Sequence, residues 1–217
     1  MFFCYLAHMS RAPSFCAVIL AAGESTRMGR DKALLPWPPV SGGTAATGQT
    51  LLSAAIGELS PWNDLVLVVV GKNEPNLAPV VYANGGEVVR NPAPERGQFS
   101  SLQVGLREVL NRGRDAAMIT LVDRPPVQAA TLQALRQAFE NAPPNVWSVI
   151  PEHEGRHGHP ILAGREMIEA FLRASPAATA RDVERLNQEH IQYLQVNDPW
   201  TAANLNTPED YAKLMPV

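Results

Sequence analysis

The chain has 217 residues, of which 46% are hydrophobic and 18% charged, with 18 basic against 21 acidic residues and a net charge of −3. That composition supplies the core of one domain and excludes wholesale disorder, while the slight acidic excess argues against a generic nucleic-acid binder. Two cysteines, Cys4 and Cys16, are too few for a disulfide scaffold and suit a reducing cytoplasm, and no apolar run reaches the roughly 18 residues of a membrane span. A cytoplasmic location with neither membrane nor nucleic acid as partner is therefore expected.

In chain order, residues 1–14 read as an N-terminal extension and 15–217 as the domain. The first eight residues are apolar but lack the basic flank and cleavage site of a signal peptide, and Met9 is an alternative start. Residues 16–21 form a short apolar run ending in Ala-Gly, the pattern of a buried strand. A helix is predicted over 50–59, where Leu51, Leu52, Ala55 and Leu59 recur at helical spacing. Residues 65–70, Leu-Val-Leu-Val-Val-Val, are a second strand stopped by Gly71, and 87–90 a short third. A helix over 100–111 opens with Ser100-x-x-Gln103, a capping-box pattern, and continues through Leu102, Leu106 and Leu110. Strands at 117–122, 146–150 and 191–196 alternate with helices at 128–140, 164–173 and 179–188. Thr207-Pro208-Glu209-Asp210 supplies a cap, a proline and first-turn acids for a last helix.

Continuous apolar strands alternating with helices predict a three-layer α/β/α sandwich on a mostly parallel, Rossmann-like sheet, with the carboxyl ends of the strands gathered on one ligand-binding edge. Trp37, Trp62, Trp147 and Trp200 read as packing residues rather than a stacking platform. The loop 36–49 is long for a compact domain and reads as a lid or an insertion.

The strongest chemical signal follows the first strand, in Leu20-Ala21-Ala22-Gly23-Glu24-Ser25-Thr26-Arg27-Met28-Gly29-Arg30-Asp31-Lys32. Small residues admit a close backbone approach, and Arg27 and Lys32 offer charge to phosphate, although solvated charges on a tight turn would read the same way. The spacing is neither a P-loop nor G-x-G-x-x-G. Asp123, in Leu121-Val122-Asp123-Arg124-Pro125, is either a Mg²⁺ ligand at a strand's carboxyl end or an Asp-x-Pro turn residue. Ser100 and Ser101 open a helix whose free N–H groups suit an anion or a base edge, or simply a cap. His157 and His159 lack a third ligand at zinc spacing, and no Ser-His-Asp or Cys-His pair suggests covalent catalysis.

Leu-Ala-Ala-Gly-x-Ser-x-Arg-Met-Gly-x-x-Lys resembles the signature of the nucleotidyltransferases that include the molybdenum cofactor cytidylyl- and guanylyltransferases, over roughly residues 15–213. The resemblance implies a fold of the nucleotide-diphospho-sugar transferase type. It also implies a Mg²⁺-dependent transfer of a nucleotidyl group from a nucleoside triphosphate to a phosphorylated acceptor, with pyrophosphate leaving. Lys32, Arg27 and Asp123 would be catalytic. Leu20, Ala21, Ala22, Gly23, Ser25, Arg27, Lys32, Asn91, Ser100 and Ser101 would bind the nucleotide, and His159 the acceptor.

Asp123 and Asn204 would hold the metal. Val122 replaces the family's usual glycine, and Asn204 stands where cytidylyltransferase relatives carry Asp, with Asp198 a distant substitute; Arg124, beside the metal position, has no evident role. Ala22 and the Gly158-His159-Pro160 stretch resemble the cytidylyltransferase branch, which implies CTP and molybdopterin as substrates, with a molybdenum enzyme as recipient of the product. The alternatives are a transferase for a sugar phosphate or another small phosphate, and a non-catalytic nucleotide- or pterin-binding maturation protein.

Overall fold

A computed structural model describes residues 13–23, 31–39, 48–205 and 207–213. Four strands, β1 (Phe15–Leu20), β2 (Leu65–Val70), β3 (Glu87–Arg90) and β4 (Ala116–Leu121), pair in parallel in the order β3-β2-β1-β4. Beyond β4 the sheet changes direction. β5 (Ser148–His153) turns back through Glu154 and Gly155, both at positive φ, into β6 (Arg156–His157) and β7 (Ile161–Gly164). A two-residue hairpin can only return antiparallel, so β7 lies antiparallel between β4 and β5. β8 (Ile191–Gln195) adds to β5 in parallel.

Alternate strand residues feed two cores, which is why the sheet acquires two helical layers. Phe15, Ala17 and Ile19 face one core with α1 (Leu51–Leu59), α2 (Glu74–Ala83) and α4 (Ala129–Glu140). Cys16, Val18 and Leu20 face the other with α3 (Gln98–Asn111), α5 (Arg165–Arg173) and α6 (Ala180–Leu186). Both faces being apolar is what makes the strands read as unbroken hydrophobic runs. Burial pushes the Cys16 thiol up to about 12, which leaves it unreactive.

The predicted strands and helices recur within a few residues of their expected limits, and no helix among the described residues is long and apolar enough to cross a membrane. Three features differ. Helix α2 is not expected from the sequence because Pro75 and Pro79 interrupt a short pattern. The hairpin return through β7 is likewise not anticipated. The helix expected to start at Ser100 starts at Gln98, capped by the backbone of Gly97. Ser100 Oγ donates to Gly97 O, and Gln103 reaches across to Phe171 O and Ala174 O, so the capping box does not form.

The last helix, α7 (Pro208–Ala212), does carry its expected cap, Thr207 accepting from Asp210 N. It closes a third small cluster of Leu35, Leu51, Leu205 and Tyr211, with Trp37 packed against it. The base of the loop 36–49 is pinned there by a Pro36–Thr50 bridge and the Tyr211 hydroxyl on Pro36 O; residues 40–47 lie outside the described residues. Ser14 is bonded through its amide and hydroxyl to Asp115 Oδ2, at 2.8 and 2.7 Å, just before β1.

Candidate active site

At the carboxyl edge, β1 ends in Leu20 and the chain turns away through Ala21, Ala22 and Gly23. Ser25 and Arg27 lie outside the described residues. The chain is described again at Asp31, whose Oδ1 accepts from Ala33 N at 3.1 Å and so caps a one-turn helix over Lys32–Leu34. That turn carries the Lys32 ammonium to 3.4 Å from Asp123 Oδ2; their side chains are only 14% and 25% exposed. Two residues 91 apart in sequence thus meet in partly dehydrated surroundings, where charge acts more strongly than at the surface.

Asp123 follows β4 on a segment fixed by two backbone bonds, Val122 N to Leu20 O at 3.0 Å and Leu205 N to Asp123 O at 2.9 Å. Its side chain does not fold back onto its own turn. Oδ2 faces Lys32, and Oδ1 is buried with no hydrogen-bond partner among the described residues. A buried carboxylate oxygen left without a donor suits a hard cation. Arg124 now has a structural role. Its Nη1 donates to Ala203 O at 2.8 Å, and with the Leu205 bond this holds exposed Asn204 at a cavity that Asp123 also lines.

Asp198 does not substitute for a metal ligand: it is 1% exposed, Oδ2 accepts from Gln128 N and Thr131 Oγ1, and Oδ1 accepts from Trp200 N. Among the described residues no cluster of three or more His, Cys, Asp or Glu could enclose an ion. A cation at Asp123 and Asn204 would therefore need phosphate oxygens to complete its shell, as Mg²⁺ commonly does.

Asn91 is buried and saturated. Its Nδ2 donates to Ser100 Oγ and Ser101 Oγ, both at 2.9 Å, and its Oδ1 accepts from Ala93 N at 2.9 Å. It ties the end of β3 to the start of α3. Of these three polar residues only Ser101 lines a cavity. Gly97, at φ +93°, makes the turn into α3, a conformation that side-chain-bearing residues rarely adopt.

Two cavities meet here. The smaller, about 250 Å³, is lined by Ala22, Gly23, Lys32, Ser101 and Asp123 among others. The larger, about 1160 Å³, shares Asp123 with it and opens toward α6. Among the described residues five arginines (Arg96, Arg124, Arg156, Arg181 and Arg185) line the larger one against two carboxylates, Asp123 and Glu184. In a chain of net charge −3 this is a local concentration of positive charge. His157 stacks on Tyr193 at the same wall, ring centroids 4.0 Å apart.

His159 also borders the larger cavity. Its backbone N–H donates to Thr201 O at 2.9 Å, an approach that requires Gly158, since a Cβ there would lie 2.3 Å from that oxygen. The ring Nδ1 is 3.0 Å from Gly158 O; a carbonyl only accepts, so Nδ1 carries the proton and Nε2 is left as an acceptor. Desolvation and the Arg124 cation push the imidazole down to about 3.

A histidine lowered on folding makes the folded state bind fewer protons than the unfolded one. Its contribution is complete above about pH 6.5 and is lost as pH falls from there toward about 3. Between pH 7 and 5 the loss of unfolding free energy attributable to His159 is at most about 2 kcal/mol. Denaturant unfolding of wild type and His159→Gln at both pH values measures it. The expected result is a smaller difference in the variant, with a neutral His159 ring at pH 5 in nitrogen NMR spectra; a protonated ring there contradicts the assignment.

Of the residues expected in the site, Leu20, Ala22, Gly23, Lys32, Ser101, Asp123, Asn204 and His159 line one cavity or the other, Ala21 is buried behind them, and Asn91 and Ser100 stand one layer away. The arginines around the larger cavity are not anticipated by the sequence, because they come from four separate segments and each reads alone as a solvated charge. Gln98 and Asn73, which stand at the site and beside it, carry no signal in the sequence beyond their residue type.

Two cavities sharing one carboxylate suit a transfer between two bound molecules, and the carboxyl edge of an α/β sheet is where nucleotides are habitually held. The MobA-like NTP transferase domain matches residues 17–193, and the chain belongs to that family. It is 28% identical over 207 residues to a probable molybdenum cofactor guanylyltransferase of Mycobacterium avium, covering 95% of this chain and 98% of that one. To the molybdenum cofactor cytidylyltransferase of Escherichia coli it is 25% identical, covering 89% and 92%. The crystal structure of Rv0371c of Mycobacterium tuberculosis in complex with manganese superposes with a TM-score of 0.71 at 22% identity, covering 93% and 97%.

Proposed function

We propose that the protein transfers a nucleotidyl group from a nucleoside triphosphate, with CTP favoured, to a phosphorylated acceptor, with molybdopterin favoured, and releases pyrophosphate. The observation that carries this reading is Asp123, which borders both cavities and, among the described residues, keeps one buried oxygen without a partner beside Lys32. The triphosphate would lie in the smaller cavity against Gly23, Lys32 and the start of α3, with Ser25 and Arg27 contributing from the same segment of chain and Asn91 and Ser100 supporting the base side. The acceptor would occupy the larger cavity, whose arginines suit an anion and whose His157–Tyr193 stack suits a flat ring. His159 would offer Nε2 as an acceptor there.

A divalent cation, Mg²⁺ in this reading, would be held by Asp123 and Asn204 and would neutralise the phosphates. The chain's own groups then position the acceptor phosphate in line with the α-phosphorus and supply charge to the departing pyrophosphate. The product would pass to a molybdenum enzyme. The same reading places the protein in the cytoplasm.

GTP is the second reading, favoured by the guanylyltransferase relative; Ala22 and Gly158-His159-Pro160 favour CTP. Pyrophosphate release with each of the four triphosphates, over molybdopterin and a panel of sugar phosphates, tests the proposal. Turnover with CTP and molybdopterin is expected; turnover with a sugar phosphate alone replaces the acceptor, and nucleotide binding without turnover favours a maturation protein. The metal assignment predicts that Asn204→Leu raises the Mg²⁺ concentration for half-maximal rate by about tenfold, since it deletes a carbonyl ligand, while Asn204→Asp lowers it by adding charge. Superimposed Mg²⁺ curves for wild type and both variants contradict it.

A further inference from the structure

Asn73 occupies the N-cap position of α2, where an Asn side chain ordinarily accepts from a helix N–H, yet it makes no such cap bond. Its carboxamide points instead toward the end of β1. Nδ2 donates to Ala21 O at 2.8 Å and to Asp31 Oδ2 at 2.7 Å, and Oδ1 accepts from Gly71 N at 3.0 Å. One side chain therefore bridges the point where the chain leaves β1 and the point, ten residues later, where it returns. Asp31 in turn spends its other oxygen on Ala33 N and so fixes the turn that presents Lys32 to Asp123. Forgoing a helix cap gives up stability of α2, so the diverted side chain serves another constraint.

We infer that Asn73 is a positioning residue: through Ala21 and Asp31 it sets the distance between Gly23 and Lys32, and hence the geometry with which the smaller cavity grips a triphosphate. This rests on the reading that the triphosphate lies in that cavity. Asn73 itself does not line the cavity and acts only through its two partners.

The bonding pattern makes a specific swap informative. Asn73→Asp sets a carboxylate against the Asp31 carboxylate and removes both donated bonds. Asp31→Asn alone leaves only one acceptor oxygen for Ala33 N and Asn73. In the double variant, the carboxamide now at position 31 accepts from Ala33 N and donates to the carboxylate now at position 73. That carboxylate still accepts from Gly71 N, so the position-31 end is rebuilt while Ala21 O stays without a donor.

The experiment is equilibrium binding of CTP and GTP, with Mg²⁺, to the full chain and to Asn73→Ala, Asn73→Asp, Asp31→Asn and the double variant, alongside Tm and, where turnover is found, kcat and KM for the nucleotide. Asn73→Asp is expected to weaken nucleotide binding by about 10- to 100-fold, and the double variant to regain about tenfold of that while remaining below wild type. The loss is expected in KM for the nucleotide and not in that for the acceptor. Wild-type affinity in Asn73→Asp, losses in the double variant that equal the product of the single losses, or losses that follow Tm across the series would each overturn the assignment. Because binding is read without an acceptor, a wild type that binds nucleotide but releases no pyrophosphate refutes the transfer reading while the swap still decides on Asn73.

Discussion

Asp123→Asn is expected to lower kcat by about 100-fold or more while the protein stays folded and still binds nucleotide. The substitution keeps the shape of the side chain and removes the one carboxylate among the described residues that borders both cavities and faces Lys32. Its lost charge falls where the phosphates converge in the proposed reaction, and removing one preorganised electrostatic group from a partly dehydrated site typically costs about 10²- to 10³-fold. The fold should survive because the backbone bonds from Val122 N to Leu20 O and from Leu205 N to Asp123 O are independent of the side chain. Steady-state pyrophosphate release and a thermal melt check it together. Turnover at the wild-type rate with normal metal dependence contradicts the role, and a collapsed melt would make Asp123 a structural residue.

Lys32→Ala is expected to weaken triphosphate binding by about 10- to 150-fold, the equivalent of a charge-assisted hydrogen bond of about 1.5–3 kcal/mol. Lys32 is only 14% exposed in its side chain, so water does not fully replace the missing ammonium, and Asp123 is left facing the incoming phosphates without its counter-charge. The deficit should appear in the nucleotide Kd and fall as salt rises, because screening weakens the wild-type interaction. An unchanged Kd at low salt would show that the smaller cavity is not the triphosphate site. The two substitutions share one ion pair and are therefore not expected to add.

Much of the fold was legible because β1, β2 and β4 are buried on both faces. Leu65–Val70 and Glu87–Arg90 match their expected limits, since a run of β-branched residues stopped by glycine or asparagine has few other readings. The reversal at Glu154-Gly155 was not legible, as a two-residue hairpin is a matter of φ at two positions and the apolar strand beyond it reads the same in either direction. Within the site, Asp123 could be picked out because it follows a buried strand at the edge where ligands bind, and Lys32 because it closes the motif that begins at the end of β1. Their 3.4 Å contact spans 91 residues and depends on the parallel pairing of β1 with β4 and on the turn that Asp31 caps. Asn73 was invisible for a similar reason: at a helix start Asn is explained by capping alone, and in the folded protein the side chain is turned the other way.

The measurement that bears most directly on the proposed transfer follows the label in a nucleoside triphosphate carrying ³²P at either the α or the γ position, incubated with the protein, Mg²⁺ and molybdopterin. Nucleotidyl transfer predicts that α-label appears in the acceptor product and γ-label only in pyrophosphate, and that the rate of both falls by about 100-fold or more in Asp123→Asn. Appearance of γ-label in the acceptor, or of α-label only in free nucleotide, would contradict attack at the α-phosphorus and with it the proposed assignment of the two cavities.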